Sequence, residues 1–118
     1  MKKIIFYSYL KCSTCRKAAQ WLQSKDFEFQ LIDIVKEPPL VNYLNLAMEQ
    51  YFDDKKRIFN TRGKAFKILN LDIYGLSREE IIKLLLSDGK LIKRPFLVYE
   101  GEKVILGFNE MEYSKQFM

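Results

Sequence analysis

The stretch Ser8–Lys17, SYLKCSTCRK, constrains this chain more than any other, because it sets both cysteines, Cys12 and Cys15, between an apolar run and a helical pattern. Ile4-Ile5-Phe6-Tyr7 stands just before it, and Cys15, Ala18, Ala19 and Leu22 recur at helical spacing from within it. The pair therefore belongs on a strand-to-helix turn. A thiol at the first turn of a helix faces unpaired backbone N–H groups and the positive end of the macrodipole, and both favour the thiolate, which is the nucleophile. Further along, Phe29, Leu31, Ile32, Ile34 and Val35 form the near-continuous run of a strand covered on both faces, which predicts a second strand over Glu28 to Val35. Strand, helix, strand implies a right-handed parallel unit.

The rest of the chain is read in the same way. The first strand is predicted at about Lys3 to Tyr7 and its helix to about Lys25. Pro38-Pro39 stops the second strand and suits a helix start, after which Leu40, Tyr43, Leu44, Ala47, Met48 and Tyr51 follow at helical spacing. From Asp53 to Leu71 the pattern gives short helices broken near Asn60-Thr61-Arg62-Gly63, with Phe66 and Leu69 to Leu71 inward. Ser77 with Glu80 reads as a capping box, Ile81, Leu84 and Leu85 as a core face, and Gly89 as the stop. Phe96 to Tyr99 and Lys103 to Leu106, parted by Glu100-Gly101-Glu102, read as a hairpin. Asn109 with Glu112 offers a second capping box for a helix whose buried side is Met111, Tyr113 and Phe117. The expected architecture is α/β, a mixed four-stranded sheet flanked by helices, in one domain spanning 1–118 with an all-helical insert at about 39–90.

Composition narrows the function. No stretch approaches the roughly 20 apolar residues of a membrane span, and MKKIIFYSYLKC turns polar too soon for a signal peptide, so a cytoplasmic protein is expected. There is no histidine, which leaves proton transfer near neutral pH to a shifted thiol, carboxylate, lysine or water. The net charge of +5 is uneven: Lys55, Lys56, Arg57, Arg62, Lys64 and Lys67 face only Asp53 and Asp54 between 53 and 67. Such a cluster suits an oxyanion, nucleic acid or an acidic partner, although most charge runs are simply solvated faces, and direct nucleic-acid binding is not expected.

One C-x-x-C gives two metal ligands with no further Cys or His to complete a tetrahedron, so zinc does not fit. Two buried, unreactive thiols are the plain alternative. The placement beside a helix start, among Lys11, Arg16 and Lys17, favours redox chemistry of the thioredoxin-like kind. Cys12, ahead of the first turn, would attack; Cys15, one turn in, would resolve the mixed disulfide. Ser13 and Thr14 are candidate donors to the thiolate or substrate, or a plain N-cap. Lys93-Arg94-Pro95, before the third strand, is the second constellation. Arg94 can set a permanent charge and a planar fork beside Cys12 and bind an oxyanion, or it can solvate the strand entrance.

KCSTCRKA, EPP, NTRGKAF, LLLSDGKLIKRPFLV and GFNEMEY, in this order, closely resemble the arsenate reductase and Spx family over essentially the whole chain. The resemblance implies a thioredoxin-like fold with a helical insert, a reactive Cys12, an Arg94 near it and a cis peptide before Pro95, in position to meet a substrate. The family's reductases carry two further arginines where this chain has Asn60 and Gly107, and Arg62 lies close enough in sequence to substitute as a substrate-binding residue. The activity implied is that of a thiol–disulfide oxidoreductase acting on a disulfide, a glutathione adduct or a small oxyanion. No bound metal or organic cofactor is required; glutathione, glutaredoxin or thioredoxin would supply electrons. The resemblance to Spx implies the alternative, a redox-sensing regulator that binds the C-terminal domain of the RNA polymerase α subunit.

Overall fold

Strand β1 (Ile4–Ser8) has no polar face because neither side of it meets water: Ile4, Ile5, Phe6 and Tyr7 are all buried. It lies inside a four-stranded sheet ordered β2 (Gln30–Asp33), β1, β3 (Phe96–Tyr99), β4 (Lys103–Leu106). β1 and β2 are parallel and need a crossover, supplied by helix α1 (Ser13–Ser24). β3 runs antiparallel to β1, with Phe96 opposite Tyr7, and the β3–β4 hairpin turns through Glu100 and Gly101, both at positive φ. The computed structural model describes residues 3–118.

Each face of the sheet has its own core. On one, Phe6, Leu97 and Ile105 pack against Trp21 and Leu22 of α1 and against Tyr113 and Phe117 of α5 (Glu110–Phe117). On the other, Ile5, Tyr7, Phe96 and Val98 meet Leu44 and Met48 of α2 (Val41–Gln50) and Ile81 and Leu85 of α4 (Arg78–Ser87). Helices α2, α3 (Lys64–Leu69) and α4, with three single 3-10 turns, make up the segment between β2 and β3, the helical insert. This is the helix-flanked mixed sheet that the thioredoxin-like reading implies. No described helix is long and apolar enough to cross a membrane.

The caps behave as the residue types demand. Ser77 Oγ accepts from Glu80 N at 3.2 Å and Glu80 Oε1 accepts from Ser77 N at 3.0 Å, which closes the capping box at the start of α4. That reciprocal bond holds the Glu80 carboxyl below its ordinary range. At α5, Asn109 Oδ1 accepts from Glu112 N at 3.0 Å, but no return bond from the Glu112 side chain is present among the described residues, so the expected second capping box is a simple cap.

Other expectations are corrected. β2 is a short edge strand, not a strand covered on both faces, and Leu31 is 61% exposed. It ends early because Asp33 Oδ1 accepts from Val35 N and Lys36 N, pulling the chain into a turn in which Ile34 is buried. Pro38-Pro39 precedes α2 without opening it: Leu40 is the N-cap. Leu71 is exposed, and so is Met111, which is 72% exposed; the buried stripe of α5 is the four-residue step from Tyr113 to Phe117. Gly89 is not a left-handed helix stop. A Cβ there would stand 2.0 Å from the Ile34 carbonyl oxygen, so its missing side chain admits the backbone that follows β2.

Candidate active site around the cysteine turn

Cys12 is the N-cap of α1, with extended backbone dihedrals, and its side chain takes the place a serine or aspartate oxygen usually fills. Its Sγ accepts from Cys15 N at 3.3 Å. The turn is tied below by Cys12 N donating to Tyr9 O at 3.0 Å and beside by Arg16 Nη1 donating to Leu10 O at 2.8 Å. Both cysteines are free thiols; Cys12 is part-exposed and Cys15 is 1% exposed. The capping role left open between Ser13 and Thr14 thus falls to Cys12 itself, with Ser13 exposed and Thr14 half-buried on the first turn.

Burial pushes the Cys15 thiol up to about 11, and its hydrogen bond with Cys12 acts in the same direction. The Tyr9 backbone and the Ser8 side chain, at the end of β1, oppose that shift. The two sulfurs therefore differ in kind. One is a surface sulfur aimed at by a helix N–H, and the other is a protonated thiol beneath it.

The Arg94–Pro95 peptide bond is cis. Because Phe96 pairs with Tyr7, Pro95 enters β3 beside the head of the cysteine turn. Arg94 is half-buried; its guanidinium lies 4.8 Å over the Tyr9 ring, and Nη1 donates to Lys90 O at 3.4 Å. Behind Pro95, its carbonyl accepts from Gly107 N at 2.9 Å, and Gly107 O accepts from the buried Tyr113 hydroxyl at 3.0 Å. Helix α5 is thereby fastened to the proline segment.

Cys12, Cys15, Ser13 and Thr14 share one turn, and Arg94 with Pro95 adjoins it through Tyr9. Lys11 is exposed at the edge of that turn. Arg62 is exposed ahead of α3, with no hydrogen bond or ion pair to the cysteine turn among the described residues. Spacing does not single out Tyr9, Ser8 or Tyr113. The first two are legible only as neighbours of the C-x-x-C, and Tyr113 only as a core aromatic.

The chemistry open to this arrangement is exchange of thiol for disulfide, with a part-exposed sulfur at the cap and a second, buried sulfur one turn in. Comparison with known proteins shows the family. The model of the ArsC family matches residues 7–116. The Bacillus subtilis (strain 168) protein YusI is 42% identical, covering 97% of this chain and 98% of its own. The global transcriptional regulator Spx of Lactiplantibacillus plantarum is 34% identical, covering 95% of this chain and 84% of its own. A crystal structure of a possible arsenate reductase from Streptococcus mutans UA159 superimposes with a TM-score of 0.87 at 38% identity, covering 97% of this chain and 98% of that one.

Proposed function

From the premise that the chain belongs to the ArsC family, we propose that it is a cytoplasmic thiol–disulfide oxidoreductase with Cys12 as nucleophile and Cys15 as resolving thiol. The observation that carries this reading is the N–H of Cys15 directed at Cys12 Sγ. A hydrogen bond from a helix N-terminus stabilises a sulfur that gains negative charge and leaves it open to solvent on the other side.

The steps balance as ordinary exchange. Cys12 thiolate attacks a disulfide, forms the mixed disulfide and expels one thiolate. Cys15 then gives up its proton and attacks Cys12 Sγ, releasing the second thiolate and closing a Cys12–Cys15 disulfide. A dithiol donor of the glutaredoxin or thioredoxin type, or glutathione, reduces that disulfide with two electrons and two protons. Arg94, held flat by Tyr9, faces the anionic part of the substrate, with Lys11, Ser13, Thr14 and the Pro95 segment around it. A small oxyanion would be met by the same residues, with Arg62 as a further candidate ligand.

The test is turnover of glutathione disulfide by the protein with thioredoxin, thioredoxin reductase and NADPH as the electron supply, the rate without the protein subtracted. Cys12→Ser is expected to abolish it, a loss of at least about 100-fold. Cys15→Ser is expected to stall as a one-to-one adduct visible by mass spectrometry. Undiminished turnover by Cys12→Ser would falsify the assignment.

The identity to Spx favours a second reading, in which the same disulfide is the switch of a transcriptional regulator that binds the C-terminal domain of the RNA polymerase α subunit. Capture of that domain by oxidised but not reduced protein supports it, and capture of neither form, or of both equally, removes it.

A further inference from the structure

The basic cluster of the insert does not enter the chemistry above, yet part of it lines a cavity of about 450 Å³. Lys56 and Arg57 reach this space from the 3-10 turn Lys55–Ile58, and Lys93 reaches it from the segment leading into β3. Two backbone bonds hold those walls together: Lys93 N donates to Ile58 O at 2.8 Å and Asn60 N to Leu91 O at 2.8 Å. The cations are therefore carried on a fixed frame.

Their charge is unspent. Among the described residues the one ion pair is Arg78 with Glu49, at 3.5 Å, so none of Lys56, Arg57 and Lys93 is held in a close ion pair. Asp54 is the sole acidic residue of the lining and already accepts from the Tyr74 hydroxyl at 3.1 Å. Three cations against one carboxylate leave an excess of two, the charge of a phosphate monoester, which carries about −1.5 to −2 at neutral pH. The Arg57 guanidinium lies 4.7 Å over the Tyr51 ring, which fixes its plane. The Lys93 stem runs past Gly107, where a Cβ would come within 3.3 Å of Lys93 Cε, so the absence of a side chain at 107 gives the lysine its room.

We propose that this cavity binds a phosphorylated small molecule. Lys56, Arg57 and Lys93 hold the phosphate oxygens, the Thr61 hydroxyl adds a donor, and Leu106 and the exposed Tyr74 ring receive the apolar part. Cys12 does not line the cavity, so binding does not depend on thiol chemistry.

The experiment is calorimetric titration of the reduced full chain with phenyl phosphate, with benzoate and glutathione as carboxylate probes. Saturable binding of phenyl phosphate is expected, weakened at least about tenfold in Arg57→Gln and in Lys93→Gln, and tightened in Asp54→Asn. Lys67→Gln, which removes a charge of the same cluster outside the cavity, and Cys12→Ser should each change the affinity less than about twofold. Thermal unfolding of every variant establishes that it is folded. No saturable binding, an equal loss in Lys67→Gln, or tighter binding of benzoate or glutathione overturns the proposal. Loss of turnover in Cys12→Ser with phenyl phosphate binding intact separates this site from the thiol reading.

Discussion

The guanidinium of Arg94 rests 4.8 Å over the ring of Tyr9, the residue whose carbonyl receives the Cys12 N–H. One residue thus touches the cation through its ring and the cysteine turn through its backbone. Arg94→Gln should slow attack by Cys12 on glutathione disulfide about tenfold, and Arg94→Lys should recover part of the loss. Tyr9→Leu, which keeps the cation but removes its platform, should fall between them, since an exposed cation–π contact is worth about 0.5–1 kcal/mol. Stopped-flow rates under pseudo-first-order conditions read this directly; a wild-type rate in Arg94→Gln would remove the arginine from the site.

The two cysteines should separate cleanly under alkylation. Cys15 is 1% exposed and burial holds its thiol at about 11, whereas Cys12 is part-exposed on the cap. Iodoacetamide at about pH 7.5 should modify Cys12 at least about tenfold faster than Cys15, as peptide mapping by mass spectrometry will show. Comparable rates would contradict the buried position of Cys15.

The same contrast gives a pH dependence. An unfolded cysteine ionises near its ordinary value of about 8.5, while folded Cys15 keeps its proton up to about 11. Between those values the unfolded chain binds fewer protons than the folded one, so this group's contribution is complete below the lower value and lost as pH rises through the upper. Reduced protein should lose thermal stability over that window more steeply than Cys15→Ala. Tyr7 and Tyr51, whose hydroxyls are also pushed up by burial, are common to both proteins and cancel in the difference, whereas Tyr113, pushed up by burial and further by the charge of Cys15, adds to the steeper fall of the unmutated chain. Parallel curves for the two proteins would count against a protonated, buried Cys15.

Gly89→Ala should be among the most damaging small substitutions. The new methyl would meet backbone at Ile34, which cannot rotate away, and the expected cost is about 3 kcal/mol or more. Gly101→Ala is the control: its φ of +68° strains alanine by about 1 kcal/mol, but nothing lies within 4 Å. Urea unfolding compares the two, and equal midpoints would mean that the Gly89 and Ile34 backbones are not in close contact.

The order of elements was legible because each is marked by a local device: the run Ile4 to Tyr7, the C-x-x-C turn, the Ser77–Glu80 box and the Glu100-Gly101 hairpin. What local pattern could not convey was which neighbour covers which face. The apolar run from Phe29 to Val35 reads as a central strand, yet β2 is an edge, because Asp33 spends its carboxylate on a turn and the sheet grows only on the side of β1. Gly89 was visible as a punctuation mark, but its reason lies at Ile34, 55 positions earlier in the chain. At the site, the cysteines and the cis peptide before Pro95 follow from motif and resemblance. Tyr9 does not, since a ring beneath a guanidinium is a contact between distant segments that leaves no periodic trace.

The amide of Gln50 lies against the outer side of β4, with Nε2 donating to Val104 O at 2.8 Å and Oε1 accepting from Val104 N at 2.7 Å. A single side chain from the insert imitates a fifth strand there and seals one margin of the sheet against self-association. Among the described residues no side chain bonds the backbone of the opposite margin, β2, in this way, so that is the edge left for an extended peptide to pair with, on the flank where Leu10 and Leu31 lie open beside the cysteine turn.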